Sequence, residues 1–308
     1  MSLNKLQKYL NLPIDKIEKL TSLDISNSDI EVIPKTLTKL VKLNCSNSKV
    51  TRLPSDLENL KELNCDSTEI TTIPKNYINL TKLICSNNKH INKIPSSLDK
   101  LQYLDCGNVP NIIKLPNTLD GLKYLNISKT NINKLNPNYF PKLISLFTSG
   151  TPMDKISKNF EKLEELDISN TDINRLPKEF EKLTLLNVSN TEINKIHKNF
   201  TNLRTLNVSK TTISSLHKDF IKLEELDISN TQINRLPKEY VNLKKLILTK
   251  SLVSKLHKEY ENLELIDITN TEIDKLSKYF SKLTTIINKK EYDVSNMKLN
   301  DIYKAKIV

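Results

Sequence analysis

A phrase of twenty residues recurs along almost the whole chain, and so short a period leaves room for few folds. Its clearest copy is LEELDISNTDINRLPKEFEK, Leu163 to Lys182, and Leu223 to Asn242 repeats it as LEELDISNTQINRLPKEYVN. With the first leucine as position 1, copies begin at Leu20, Leu40, Leu60, Leu80, Leu101, Leu122, Leu143, Leu163, Leu183, Leu203, Leu223, Leu243 and Leu263. The three that begin at Leu80, Leu101 and Leu122 are one residue longer. Apolar residues fall at positions 1, 4, 6, 11, 14 and 18. Positions 4 and 6 alternate with polar 3, 5 and 7, the signature of a strand with one buried face. Position 15 is often proline (Pro34, Pro54, Pro74, Pro95, Pro116, Pro177, Pro237), which stops further pairing and turns the chain back. A unit this short must hold a strand, a turn, a return segment and a second turn. Little room remains for an α-helix, so extended or 3₁₀ turns are expected on the outer side. One unit cannot bury its own apolar face, so neighbours must stack.

The pattern L-x-x-L-x-[I/V/C]-x-N-[T/S]-x-I-x-x-[L/I]-P resembles the leucine-rich repeat family over residues 20 to 286. That resemblance implies a leucine-rich-repeat solenoid: a curved right-handed superhelix with a parallel β-sheet on its concave side and extended or 3₁₀ turns on its convex side. One departure matters. The family usually places asparagine at position 9, where its side chain bonds neighbouring backbone. Here the position is mostly Ser or Thr (Ser28, Thr68, Thr171, Thr231, Thr271), with Asn88 the exception. A hydroxyl also bonds backbone, so a weaker ladder is expected.

Residues 1–19 read as an N-terminal cap, with Leu12-Pro13, Ile17 and Leu20 forming a degenerate half repeat. Residues 20–282 are the thirteen repeats, and 283–308 read as a C-terminal cap, because Asn288 puts a polar group at position 6 of a fourteenth copy. The register runs unbroken, so one elongated body is expected.

Catalytic chemistry finds no foothold. The chain has only three glycines, which removes a glycine-rich phosphate loop. Cys45, Cys65, Cys85 and Cys106 invite a disulfide or metal reading, but all four occupy inward position 6, where cysteine acts as a small hydrophobe. Zinc would need C-x-x-C-like spacings, which are absent. His197, His217 and His257 share position 15 without a third ligand column, so no metal is assigned. The aromatic column at position 18 or its equivalent (Phe140, Phe160, Phe180, Phe200, Phe220, Tyr240, Tyr260, Phe280) reads as core. Neither flank is long enough for an attached catalytic domain. The chain is therefore read as a non-enzyme without cofactors.

No apolar run approaches the ~18 residues of a membrane helix, and no secretory signal is seen. Unpaired thiols favour a reducing compartment, so the cytoplasm is expected, or the host's cytoplasm if the chain is viral. A monomer is expected as well.

The formal charge of +11 first suggests nucleic acid. Register refines this. Positions 2, 3, 5 and 7 of the thirteen copies carry twelve acids and seven bases, a net −5, so the excess base lies elsewhere. It concentrates at position 13 (Arg52, Arg175, Lys195, Arg235) and position 16 (Lys178, Lys198, Lys218, Lys238), on the turns. A basic stripe of this kind can follow a phosphate backbone, yet it also serves as a solvated face, and no aromatics interleave for base stacking. On the concave face two features stand out. Glu164, Glu165 and Asp167 form an acidic cluster that Glu224, Glu225 and Asp227 repeat three copies later. Tyr103, Tyr124 and Phe147 occupy outward places on successive strands. The expected function is a non-catalytic scaffold binding a protein partner, possessed of some basic character, through these nine residues. The alternative is nucleic-acid or acidic-partner binding along the basic turns.

Overall fold

The computed structural model describes residues 2–288 and 306–307. The chain divides into two compact units, Met1–Met153 and Asp154–Val308. A stack whose repeats touch only their neighbours has no single centre, so an unbroken sequence does not imply one compact body.

The first unit opens with helices α1 (Ser2–Leu10) and α2 (Ile14–Ile17). Leu3, Leu6 and Leu10 share one helical face of α1, and Leu6 is fully buried. The helix stops at Asn11, whose φ is 51°. Pro13 caps α2, and Ile17 is buried beneath it. Lys5 ties α1 to the first repeat through the Asp29 carbonyl at 2.7 Å and ion pairs with Asp29 (3.2 Å) and Glu31 (3.6 Å). The N-terminal segment is thus helical where a half repeat was expected.

Seven parallel strands follow: β1 (Ser22–Asp24), β2 (Lys42–Asn44), β3 (Glu62–Asn64), β4 (Lys82–Ile84), β5 (Tyr103–Asp105), β6 (Tyr124–Asn126) and β7 (Ser145–Phe147), paired in chain order. Each covers positions 3–5, with position 4 buried and its neighbours facing out. The ladder continues past the strand: the Ile25 N–H donates to the Asn44 carbonyl at 2.8 Å and the Asn27 N–H to the Ser46 carbonyl at 2.9 Å. Position 8 then turns the chain in a left-handed conformation, at Asn27, Asn47, Ser67, Asn87, Asn108, Lys129 and Gly150. Asparagine and glycine enter that region at least cost.

The second unit repeats the plan with β8 (Glu165–Asp167), β9 (Leu185–Asn187), β10 (Thr205–Asn207), β11 (Glu225–Asp227), β12 (Lys245–Ile247), β13 (Leu265–Asp267), β14 (Thr285–Ile287) and β15 (Lys306–Ile307), again parallel and in chain order. Strand β14 lies inside the segment read as a cap, in register with β13, and Ile286 is buried. The sheet therefore runs two strands past Lys282, through β14 and β15. The rest of the expected C-terminal cap, 289–305 and 308, lies outside the described residues. Between α2 and Asn288 the return segments are turns, with one 3₁₀ helix at Pro137–Tyr139.

Both interiors follow the register. The four cysteines are fully buried and unpaired. Burial pushes the Cys45 thiol up to about 12 and raises Cys65, Cys85 and Cys106 well above the usual range. The aromatic column is buried from Phe140 to Phe280. Its tyrosines find acceptors one repeat back: Tyr240 Oη donates to the His217 carbonyl and Tyr260 Oη to the Pro237 carbonyl, both at 2.8 Å. Position 9 explains the missing asparagines. Thr171 Oγ1 donates to the Ile168 carbonyl (2.6 Å) and Thr231 Oγ1 to the Ile228 carbonyl (2.7 Å), each within its own repeat. Asn88 Nδ2 reaches the carbonyls of both Cys85 and Cys65, at 2.9 Å each. The longer amide reaches the backbone of two repeats, whereas these hydroxyls reach only the carbonyl of their own.

Candidate functional site

The outward strand positions carry the site because strand pairing sets their spacing. In the first unit Tyr103 and Tyr124 are register partners on β5 and β6. Neighbouring strands stand about 4.8 Å apart, so two rings at the same position must stack or splay. They stack, with centroids 4.0 Å apart and planes 2° from parallel. Phe147 lies two positions further along β7 and meets Tyr124 at 5.3 Å, tilted by 36°. Tyr124's register partner is Ser145, small and buried, which leaves the phenyl ring room. On the other side Lys82, Tyr103's partner on β4, holds Nζ 4.9 Å from the Tyr103 centroid. The structure brings all three expected aromatics together, half-buried, and adds a lysine that the sequence reading did not include. Each tyrosine ring is flanked on both sides, Tyr103 by Tyr124 and Lys82, Tyr124 by Tyr103 and Phe147.

Asp105 sits two positions along β5. Burial holds its carboxyl above the usual range and the nearby Asp66 charge adds to this; hydrogen bonds from the Gly107 N–H and Asn126 Nδ2, 3.0 Å each, oppose it. Beyond Lys82 a shallow hollow of about 250 Å³ lies over β1–β4, bordered by Lys42, Glu62, Lys82 and Ile84.

The second unit carries both acidic triplets. They differ in state. Glu224 is bracketed by Lys244 Nζ at 2.7 Å and by the Arg204 guanidinium, which hold its carboxyl below the usual range. Glu225 faces Lys245 at 3.7 Å. No ion pair among the described residues engages Glu164, which is exposed, or Glu165, which is half-buried. Asp167 and Asp227 serve the turn: each accepts the N–H two residues on, from Ser169 and Ser229, at 2.8 Å. Asp167 also accepts from Asn187 Nδ2 at 3.1 Å. The second triplet is therefore largely neutralised by its neighbours, and the first keeps two outward carboxylates.

Lys178, Lys198, Lys218 and Lys238 are exposed on the turns. His197 Nδ1 accepts the Asn199 N–H at 3.2 Å, as Ser157 Oγ and Ser277 Oγ accept theirs at the same position (3.3 and 3.2 Å). Position 15 thus takes either proline or a turn-capping acceptor. Among the described residues no group of His, Cys, Asp or Glu is placed to hold a metal ion, and no helix is long and apolar enough to cross a membrane.

A family model, Leucine Rich Repeat, matches residues 162–183. No curated protein matches the chain. Solved structures resemble it in fold. A leucine-rich-repeat protein of Leptospira interrogans superposes with a TM-score of 0.74 at 23% identity, over 96% of this chain and 92% of that one. The functional domain of InlJ from Listeria monocytogenes, described as including a cysteine ladder, gives 0.75 at 23% identity, over 89% and 68%. The Arabidopsis receptor kinase HAESA, solved with the peptide hormone IDA and the co-receptor SERK1, gives 0.60 at 20% identity, over 89% of this chain and 55% of that one.

Proposed function

We propose that this chain, a leucine-rich-repeat protein, is a non-catalytic scaffold that binds a protein partner on the outward face of its strands. One observation carries this: three aromatic rings stand half-exposed on regular strands, held by their neighbours. Exposed aromatics supply most of the energy at protein interfaces. A sheet pre-fixed by backbone bonds loses little further freedom on binding. Glu164 and Glu165 add open negative charge in the second unit, and Glu224, Glu225, Asp167 and Asp227 contribute paired or turn-bound carboxylates around it. HAESA, similar in fold, is solved in complex with a peptide hormone, and a binding role of that kind accords with this reading. On its unpaired thiols we place the protein in the cytoplasm.

The test compares immobilised wild-type chain with three variants in lysate of the source cells: Tyr124→Ala/Phe147→Ala, Glu164→Lys/Glu165→Lys, and Lys178→Glu/Lys198→Glu/Lys218→Glu. A protein partner retained by the wild type and the turn variant, and lost by either face variant, supports the proposal. Binding lost only by the turn variant, or a retained nucleic acid released steeply by salt, transfers the function to the basic turns.

A further inference from the structure

We infer that the face of the first unit takes an extended, uncharged segment of its partner, laid across the strands with an apolar side chain against the half-exposed rings of Tyr103, Tyr124 and Phe147. This rests on the reading of the strand face as the binding surface and narrows it to one unit and one chemistry.

The ring geometry decides what cannot stack there. Tyr103 and Tyr124 cover each other at 4.0 Å, Phe147 closes the far side, and Lys82 lies over the near one. Nucleobases and guanidinium groups bind aromatics through their faces, and the faces of Tyr103 and Tyr124 are taken. The cation position is already filled by the chain's own Lys82. What remains is the half-exposed ring surface around those faces, Phe147 above all, which suits an aliphatic or proline side chain.

Charge decides the rest. The outward positions of the first unit hold four acids (Asp24, Glu62, Asp66, Asp105) and four bases (Lys42, Lys61, Lys82, Lys123), a net of zero. Lys42 and Glu62 pair with each other at 2.8 Å. A charged segment would lose hydration here without meeting an opposite field. The second unit, by contrast, carries eight acids and three bases on these positions and would favour a basic segment.

Length follows from the strands. Seven strands leave six intervals of about 4.8 Å, roughly 29 Å, which about nine residues of extended chain would cross at about 3.3 Å each. Such a segment would run from the hollow bordered by Lys42, Glu62 and Ile84 to the aromatic wall, because Lys82 belongs to both. The strand backbone bonds to neighbouring strands, so recognition would come from side chains, with no added strand.

The probe is a phage-displayed library of random twelve-residue peptides panned against the full chain. Substitutions are borrowed from other copies of the repeat so that they suit the fold: Tyr124→Thr with Phe147→Asn, after Thr205 and Asn187. The enriched peptides are expected to have near-zero net charge and a shared apolar residue. Their Kd should rise at least tenfold with Tyr124→Thr/Phe147→Asn and change less than twofold with Lys178→Glu/Lys198→Glu on the exposed turns. Enrichment of basic peptides sensitive only to Glu164→Lys/Glu165→Lys overturns this inference and leaves the scaffold reading standing. Peptides indifferent to both strand-face pairs, or no enrichment, overturn both.

Discussion

One backbone carries two different surfaces. The first unit's outward strand positions balance four acids with four bases and stack three aromatic rings. The second unit's hold eight acids, three bases and no ring. The interiors differ as well, in a narrower way. Position 6 is Cys45, Cys65, Cys85 and Cys106 through the middle of the first unit, and Ile168, Val188, Val208, Ile228, Leu248 and Ile268 in the second. Position 18 shifts from mainly leucine to phenylalanine and tyrosine. Inward residues answer to the stack, so they vary in size and stay apolar. Outward residues, apart from the position-5 side chains that hold the next turn, answer to little inside the fold, so their character is freer to follow a ligand.

The largest effect expected tests whether the two interiors are energetically separate. Phe200→Ala empties a fully buried site in the second unit and should cost about 3–5 kcal/mol. Hydrogen exchange should then quicken at β9–β11 while β2–β4 keep their protection. Leu57→Ala, about 2–5 kcal/mol by the same reasoning, should do the reverse. Equal loss everywhere in both variants would mean that the difference between the units stops at the surface.

Alkali should separate them next. The four thiols belong to the first unit, and burial raises all of them. An acid whose folded pKa is raised binds its proton more tightly folded than unfolded. Its contribution is full below the unfolded value of 9.0 and falls as pH rises from there towards about 12 for Cys45. At pH 10 the loss is on the order of 1 kcal/mol per thiol. Urea midpoints from pH 8 to 10 should fall, and Cys45→Val should blunt the fall. A flat profile would place the thiols in contact with water.

Smaller again is the amide that spans two repeats. Asn88→Thr keeps the bond inside its own repeat and gives up the one to Cys65, so about 1–3 kcal/mol should be lost. Cys65→Ser buries a hydroxyl beside it at a cost of about 1–3 kcal/mol. In the second unit Thr171→Val removes only an intra-repeat bond and should cost about 1 kcal/mol. Equal losses at Asn88 and Thr171 would deny the asparagine any bridging value.

The strands and their buried faces were legible because a period of two within a period of twenty leaves each residue one place to point. What the sequence did not disclose depended on partners across strands. Glu224 reads as open charge until β10 and β12 bring Arg204 and Lys244 beside it. Tyr103 and Tyr124 read as exposed until pairing puts them face to face and Lys82 over them. The histidines of position 15 looked like orphaned ligands, although Ser157 and Ser277 at the same place hinted at turn capping. Helix α1 did leave a signal, Leu3, Leu6 and Leu10 at helical spacing, which the expectation of a half repeat obscured.

The smallest effect concerns the turn both units share. Position 8 is left-handed throughout, yet Lys129 in the first unit and Lys210 and Lys250 in the second adopt it with φ of 56°, 55° and 56°. A residue other than glycine or asparagine pays about 1–2 kcal/mol there. Asparagine recovers part of this and can also extend an amide row, since Asn190 Nδ2 already donates to Asn170 Oδ1 at 2.9 Å. Lys210→Asn should therefore raise stability by about 0.5–1 kcal/mol, and Asn170→Lys should lower it by a similar amount. Lys198→Asn, on an exposed turn of the same unit, controls for the lost charge. A urea midpoint that moves equally for Lys210→Asn and Lys198→Asn would show that the left-handed turn stores no strain, and that the lysines of position 8 sit there as comfortably as the asparagines.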